Sequence, residues 1–268
     1  MASSDSDSDS ASYFDSDDDP TPAIFEAVLA FDVEALQREL AAGVDPNLLN
    51  PLADLSLMYY ALRWNSSSLT VTEDDIQDRL ACISVLLEAG ARIIAPHDPD
   101  GFDGMTPLHL AVGVTSPAYQ AVIAFLIKSG ADVNATTPLG SRSISVLAEA
   151  AACGTAATVR RLISAGAVDF DGALRAAIEN GKHRNCAPLL RAGAVRPARY
   201  TARGPGHEPR GYSETCDYMR KIRAAGGYKK YEHAHRQRLV AMFAPKFPHL
   251  PADMLGRVLE FVFDVGGH

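Results

Sequence analysis

The side chains that could hold a metal, move a proton or carry a phosphate fall in four stretches. Asp98, Asp100 and Asp103 offer oxygens to a cation. A calcium loop spaces its acceptors regularly and closes on a bidentate glutamate, and this stretch does neither. Its Asp98-Pro99-Asp100-Gly101 reads instead as a turn, with proline setting φ and glycine supplying positive φ. His109 has no serine, cysteine or acid placed by sequence to work with it. His233 and His235 stand two apart on different helix faces with Cys216 remote, which is no zinc set. Ser4, Ser6, Ser8 and Ser10 alternate with aspartate, as acidophilic kinases prefer, and each phosphate would add roughly -1.5 to -2 charges. No phosphate loop or nucleophile arrangement occurs. Neither an enzyme nor a cofactor is expected.

His109 belongs to the stretch from Gly104 to Asn134, around which the chain is organised. Thr106 is placed to cap a helix, and Pro107 falls at its first position, where a missing N–H costs nothing. Leu108, Leu110, Ala111 and Val112 follow. Ser116-Pro117 repeats the device for a second helix carrying Ala121, Val122, Phe125 and Leu126. Gly130 ends it by taking a left-handed conformation. Two such short helices cannot bury their own apolar faces.

The glycine phrase returns as Leu40-Ala41-Ala42-Gly43, Leu87-Glu88-Ala89-Gly90, Ile163-Ser164-Ala165-Gly166 and Leu190-Arg191-Ala192-Gly193. Sixteen residues before Gly43, Gly166 and Gly193 stand Ala27, Ala150 and Ala177, small residues for close helix approach. Gly130 reaches Ala111 over 19 residues and Gly90 reaches Ala61 over 29, so those two units carry inserts.

This pattern resembles the ankyrin repeat, whose Thr-Pro-Leu-His-x-Ala hallmark stands at Thr106 to Ala111. The resemblance covers about five units over residues 23–195 and implies an all-α fold. It implies an ankyrin-type solenoid of stacked helix pairs with short β-hairpin fingers. Successive glycines lie 47, 40, 36 and 27 residues apart, against about 33 in the family. The last interval is too short for a finger. His109 is expected to bond within and between units, and the finger between units two and three falls on residues 94–104.

Unit one should act as a cap, with Phe25, Val28, Leu36 and Leu40 inward and Asp32, Glu34, Gln37 and Arg38 outward. In unit two, Thr72 to Asp75 reads as a capping box opening a long helix. Gly172 to Arg175 begin the fifth unit, which runs to Ala194, and Pro188 should kink or shift its second helix.

At 268 residues and 47 % hydrophobic the chain suffices for one or two domains. No apolar run approaches the ~18 residues of a membrane span. Met1-Ala2-Ser3-Ser4 leads into acid rather than a targeting region, so an intracellular protein, cytoplasmic or nuclear, is expected. The cysteines at 82, 153, 186 and 216 have no paired spacing and read as reduced thiols. The net charge of -8 hides an asymmetry. Residues 1–20 hold seven aspartates and no base, whereas residues 196–246 hold twelve Lys or Arg against four acids. The acidic tail should be disordered, and folding back to mask the basic region is a role open to it.

Residues 196–212 read as a linker and 213–268 as a basic helical segment. Ser213 should cap one helix, stopped by Gly226-Gly227. A second should start near Tyr228 and a third at Leu250-Pro251, together capping the stack. The segment is loosely similar to C-terminal parts of algal ankyrin-repeat proteins. Its Leu250 to Phe261 resembles the opening of an F-box, in a layout similar to SOCS-box ankyrin proteins, which implies a ubiquitin-ligase adaptor as the alternative function. Nucleic acid or acidic lipid are possible partners of residues 196–246. The leading expectation is a monomeric scaffold binding a protein partner through hairpin tips and the first-helix face. Trp64, Asp98, Asp100, Phe102, Tyr119 and Arg142 are its candidate contacts.

Overall fold

A computed structural model describes residues 22–51, 55–62, 73–93, 105–139, 142–195, 212–251 and 253–258. The described chain is mostly helical. Five helix pairs follow one another: α1 (Ala23–Leu29) with α2 (Val33–Ala41), α3 (Leu57–Leu62) with α4 (Glu73–Glu88), and α5 (Pro107–Val112) with α6 (Gln120–Lys128). Then come α7 (Val146–Ala152) with α8 (Ala156–Ser164) and α9 (Phe170–Glu179) with α10 (His183–Ala192). First helices touch in series, α1 on α3 on α5 on α7 on α9, and second helices do the same from α2 to α10.

The reason lies in the small residues. Ala27, Ala61, Ala111, Ala150 and Ala177 are all buried, so a methyl group is all that separates packed backbones at each level. Around them one core runs from Ile24, Phe25 and Val28 through Leu86, Leu126 and Leu162 to Leu189. Each pair ends as the spacing predicts. Gly43, Gly90, Gly130, Gly166 and Gly193 have φ between 93° and 105°, a conformation that only glycine takes without strain.

Between units three and four the chain forms an antiparallel hairpin, β1 (Thr136–Leu139) with β2 (Arg142–Ser145), in the register Thr136 to Ser145. Between units one and two a bridge joins Leu49 and Ser56. No strand separates units four and five, as their short glycine interval predicts, and α7 packs directly on α9.

Several expectations are corrected. Ser116 makes no side-chain cap, and the chain enters α6 through a 3-10 turn at Pro117–Tyr119. The first helix of unit five starts at Phe170 under an Asp169 cap, with Gly172 inside its first turn. α10 runs unbroken through the buried Pro188. Ser213 lies inside α11 (Tyr212–Ala224) and does not precede it. Thr72 and the finger at 94–104 lie outside the described residues.

Beyond the repeats, α11 and α12 (Tyr228–Phe243) turn at Gly226-Gly227 and are followed by a helical stretch over 253–258. α11 buries Thr215, Met219 and Ile222 against α9 and α10. Arg191 in the last turn of α10 pairs at 2.6 Å with Glu232 near the start of α12. Consecutive units instead meet start to start, as where Gln120 donates to Thr158 at 2.7 Å. The C-terminal pair therefore packs on the last unit without continuing its register.

Candidate protein-interaction surface

The polar groups at the starts of α5 and α7 tie unit three to unit four and unit four to unit five. The Thr106 hydroxyl accepts from the His109 backbone N–H at 3.4 Å and meets His109 Nδ1 at 2.8 Å. On the other side of the ring, Nε2 lies 3.2 Å from the carbonyl of Ile144 in β2. A carbonyl can only accept, so Nε2 carries a proton, and Nδ1 accepts from the Thr106 backbone N–H at 3.3 Å. The buried imidazole is thus neutral. Burial lowers its pKa, opposed in part by the Ile144 carbonyl and Glu149. One level on, the Ser145 hydroxyl accepts from Ala148 N–H at 3.1 Å and donates to Asp169 at 2.6 Å. Asp169 in turn caps α9 through Gly172 N–H.

A pH dependence follows. The unfolded imidazole titrates at its ordinary value and the folded one below it, so the unfolded chain binds more protons in between. The stability that His109 contributes is complete above about pH 6.5 and is lost as pH falls through the depressed folded value. Urea unfolding at pH 7.5 and pH 5 should show a smaller loss for His109→Gln than for the wild type. Equal losses would rule out this titration.

At the other end of the pairs, two asparagines repeat one device. Asn47 donates to the Gly90 carbonyl at 3.2 Å and accepts from Arg92 N–H at 2.8 Å. Asn134 does the same with Gly166 at 3.1 Å and Val168 at 3.0 Å. Both sit four residues after a repeat glycine, and Asp45 or Asp132 holds each in place through its backbone N–H at 2.9 Å. The shared Gly-x-Asp-x-Asn spacing was a readable signal.

One row of side chains runs beside the buried alanines. Glu26, Tyr60, Leu110, Glu149 and Ala176 each precede a buried alanine and remain partly or fully exposed on the first helices. Tyr60 and Ala176 also pack against the core, Tyr60 edge-on to Phe25 at 5.3 Å, which leaves Glu26, Leu110 and Glu149 outside it.

Of the predicted contacts, Trp64, Asp98, Asp100 and Phe102 lie outside the described residues. Arg142 opens β2, its backbone opposite Leu139. Tyr119 is corrected: the 3-10 turn drives it inward, fully buried, and its hydroxyl donates to the Leu62 carbonyl at 2.7 Å. It belongs to the core. Arg79 was missed. It is buried on α4, donates to the Ala61 carbonyl, and lies 4.5 Å over the Phe31 ring and 5.7 Å from that of Tyr119.

No disulfide joins the cysteines among the described residues, and burial pushes the Cys82 thiol to about 11 and that of Cys186 to about 12. Among the described residues no group of three His, Cys, Asp or Glu could hold a metal, and no helix is long and apolar enough to cross a membrane.

The unit bearing the Thr106 cap and the His109 bridge is the one that a family model matches. Residues 103–138 match the family model of the ankyrin repeat. No curated protein matches the chain. The ankyrin match ends within β1, so it covers the helix pair and the first strand of the finger that His109 holds.

Proposed function

We propose that the chain is a non-enzymatic protein-binding scaffold. Five ankyrin-type units stack as a solenoid, closed at the C-terminal end by α11 and α12, and hold a partner against the fingers and the first-helix face. The observation that carries this reading is the row Glu26, Leu110 and Glu149. These positions are partly or fully exposed on the first helices and stand outside the apolar core. Ankyrin repeats are interaction modules, which sets the direction of the inference. Trp64, Asp98, Asp100, Phe102 and Arg142 are the proposed finger-side and insert contacts.

Affinity purification with mass spectrometry would define the wild-type partners. Trp64→Ala with Phe102→Ala, and separately Leu110→Glu with Glu149→Arg, should then each lose them. A hot-spot loss of roughly 2 kcal/mol is about 30-fold in Kd. An undiminished partner set for both pairs would overturn the reading.

A second reading, a ubiquitin-ligase adaptor, draws on exposed apolar side chains beside the helical stretch over 253–258. Phe247, Leu250, Met254 and Val258 are 38–51 % exposed, the kind of surface that marks a docking site. Co-purification with F-box-binding or elongin-type ligase subunits, lost on truncation at Phe247, would support it. Absence of both subunits would end it.

A further inference from the structure

The turns within the helix pairs form an edge opposite the glycine turns, and its charge changes along the chain. At the N-terminal end the second helices open on acids: Asp32 and Glu34 at α2, then Glu73, Asp74 and Asp75 at α4. At units four and five the sign reverses. A cleft of about 370 Å³ lies between the turn before α8 and the turn before α10, lined by Thr155, Arg160, Lys182, His183 and Arg184 among others, and by no carboxylate. Among the described residues no acid pairs with Arg160, Lys182 or Arg184.

The fold does not ask for these cations. A helix start favours an acid or hydroxyl that accepts from its free N–H groups. Asp32, Thr155 and Asp169 supply that at α2, α8 and α9. At α10 the cap position holds Lys182, which makes no capping bond, with Arg184 two residues on. Both work against the helix dipole. Arg191 of α10 and Arg220 of α11 differ, since they are already matched by Glu232 and Asp217.

The sequence carries one strongly acidic partner for such a cleft. Residues 1–20 hold seven of the eight net negative charges of the whole chain. They end beside Pro22, which leads into α1 of the first unit. Four inter-helix steps of roughly 10 Å separate unit one from unit five. Twenty extended residues reach roughly 65–70 Å, so the distal aspartates span that distance. Tethering raises their effective concentration to the millimolar range or so, enough for contacts too weak to bind in trans.

We propose that the basic cleft between the turns of units four and five is the docking site for the distal acids of the chain's own N-terminal tail, Asp5, Asp7 and Asp9. Phosphorylation at Ser4, Ser6, Ser8 or Ser10 would tighten the contact, and any acidic partner of the cleft would have to displace it. This assignment is independent of the first-helix partner surface, and its failure leaves that surface untouched.

Zero-length carbodiimide cross-linking of the full chain tests it, because the reagent joins a carboxylate to a lysine ammonium only where the two already touch. Peptide mapping of the monomer should find Asp5, Asp7 or Asp9 joined to Lys182, at least tenfold above Lys128 at the end of α6. The yield should fall at least tenfold in 1 M salt, where screening is felt within about 3 Å. Arg160→Glu with Arg184→Glu keeps Lys182 as acceptor and should abolish the product. Arg184→Gln alone, at an exposed position, replaces that pair if circular dichroism shows it unfolded, and should lower the yield severalfold. Equal yields at Lys182 and Lys128, insensitivity to the substitutions, or product confined to a dimer band would each overturn the proposal.

Discussion

Replacing Arg79 with alanine should lower stability by about 3 kcal/mol, the larger part from a buried charged donor and the rest from its ring contacts. In a chain of this size that is a fall of roughly 6–12 °C in Tm. The guanidinium reaches from α4 of unit two to the Ala61 carbonyl at the end of α3, and its plane lies against Phe31 of unit one and near Tyr119 of unit three. Three units thus share one side chain. Phe31 itself has φ of 54°, unusual for a large residue, and the cation beside its ring helps to hold it there. Hydrogen exchange should show the loss concentrated in units one to three, with α9 and α10 protected as before. Arg79→Lys should recover little, because an ammonium cannot match a planar donor against a ring. Arg79→Met, which fills the same space without a charge to bury, should lose less than alanine. A loss under about 1 kcal/mol for alanine, measured by urea unfolding, would show that the contacts are incidental, since a typical net hydrogen bond alone is worth that much.

What could be read from the sequence was whatever the units share. A glycine at positive φ and an alanine between packed helices recur because each unit meets the same backbone demand, so the repeated phrase found the five glycines and constant spacing found Ala27, Ala150 and Ala177. Thr106, Pro107 and His109 were legible for a related reason: their bonds are local, or reach one level along a repeating frame. The misses are the side chains that act once. Arg79 occupies the apolar stripe of α4, spaced with Ile76, Ile83 and Leu86, and that spacing marked it as inward. Its charge argued otherwise, and only contacts more than 15 residues away in sequence resolve the conflict. Tyr119 was misread because Ser116-Pro117 looks like a helix cap, which would have put the ring elsewhere; a 3-10 turn changes its direction. Four of the six candidate contacts, Trp64, Asp98, Asp100 and Phe102, fall in inserts that no repeat rule constrains.

A single methyl group added at Gly154 should do nearly as much harm as the loss of Arg79. Its φ is not in the left-handed region, so the demand there is for space. A Cβ at this position would press on the Val112 carbonyl of unit three and stand 2.8 Å from the Ala150 carbonyl, both of them backbone atoms. Neither atom can swing aside as the end of a flexible side chain can. Relief requires the turn before α8 to move away from α5. The Gly154 carbonyl also accepts from Asn185 of unit five at 3.2 Å, and Asn185 donates to Ala151 at 3.0 Å. A shift that frees unit three therefore strains the bond to unit five. Gly154→Ala should cost about 2–3 kcal/mol, net of the small gain from a stiffer unfolded chain. Gly113→Ala is the matched control: its Cβ meets nothing nearer than 3.7 Å, and a helix-compatible alanine there should be neutral or stabilise by about 0.5 kcal/mol. Because stacked units are held by nearest-neighbour interfaces, the Gly154 variant should also unfold less cooperatively. Units one to three and units four and five would separate into two transitions. A single transition at the wild-type midpoint would mean that the turn yields without parting the units, and the close approach at Gly154 would then carry none of the coupling between them.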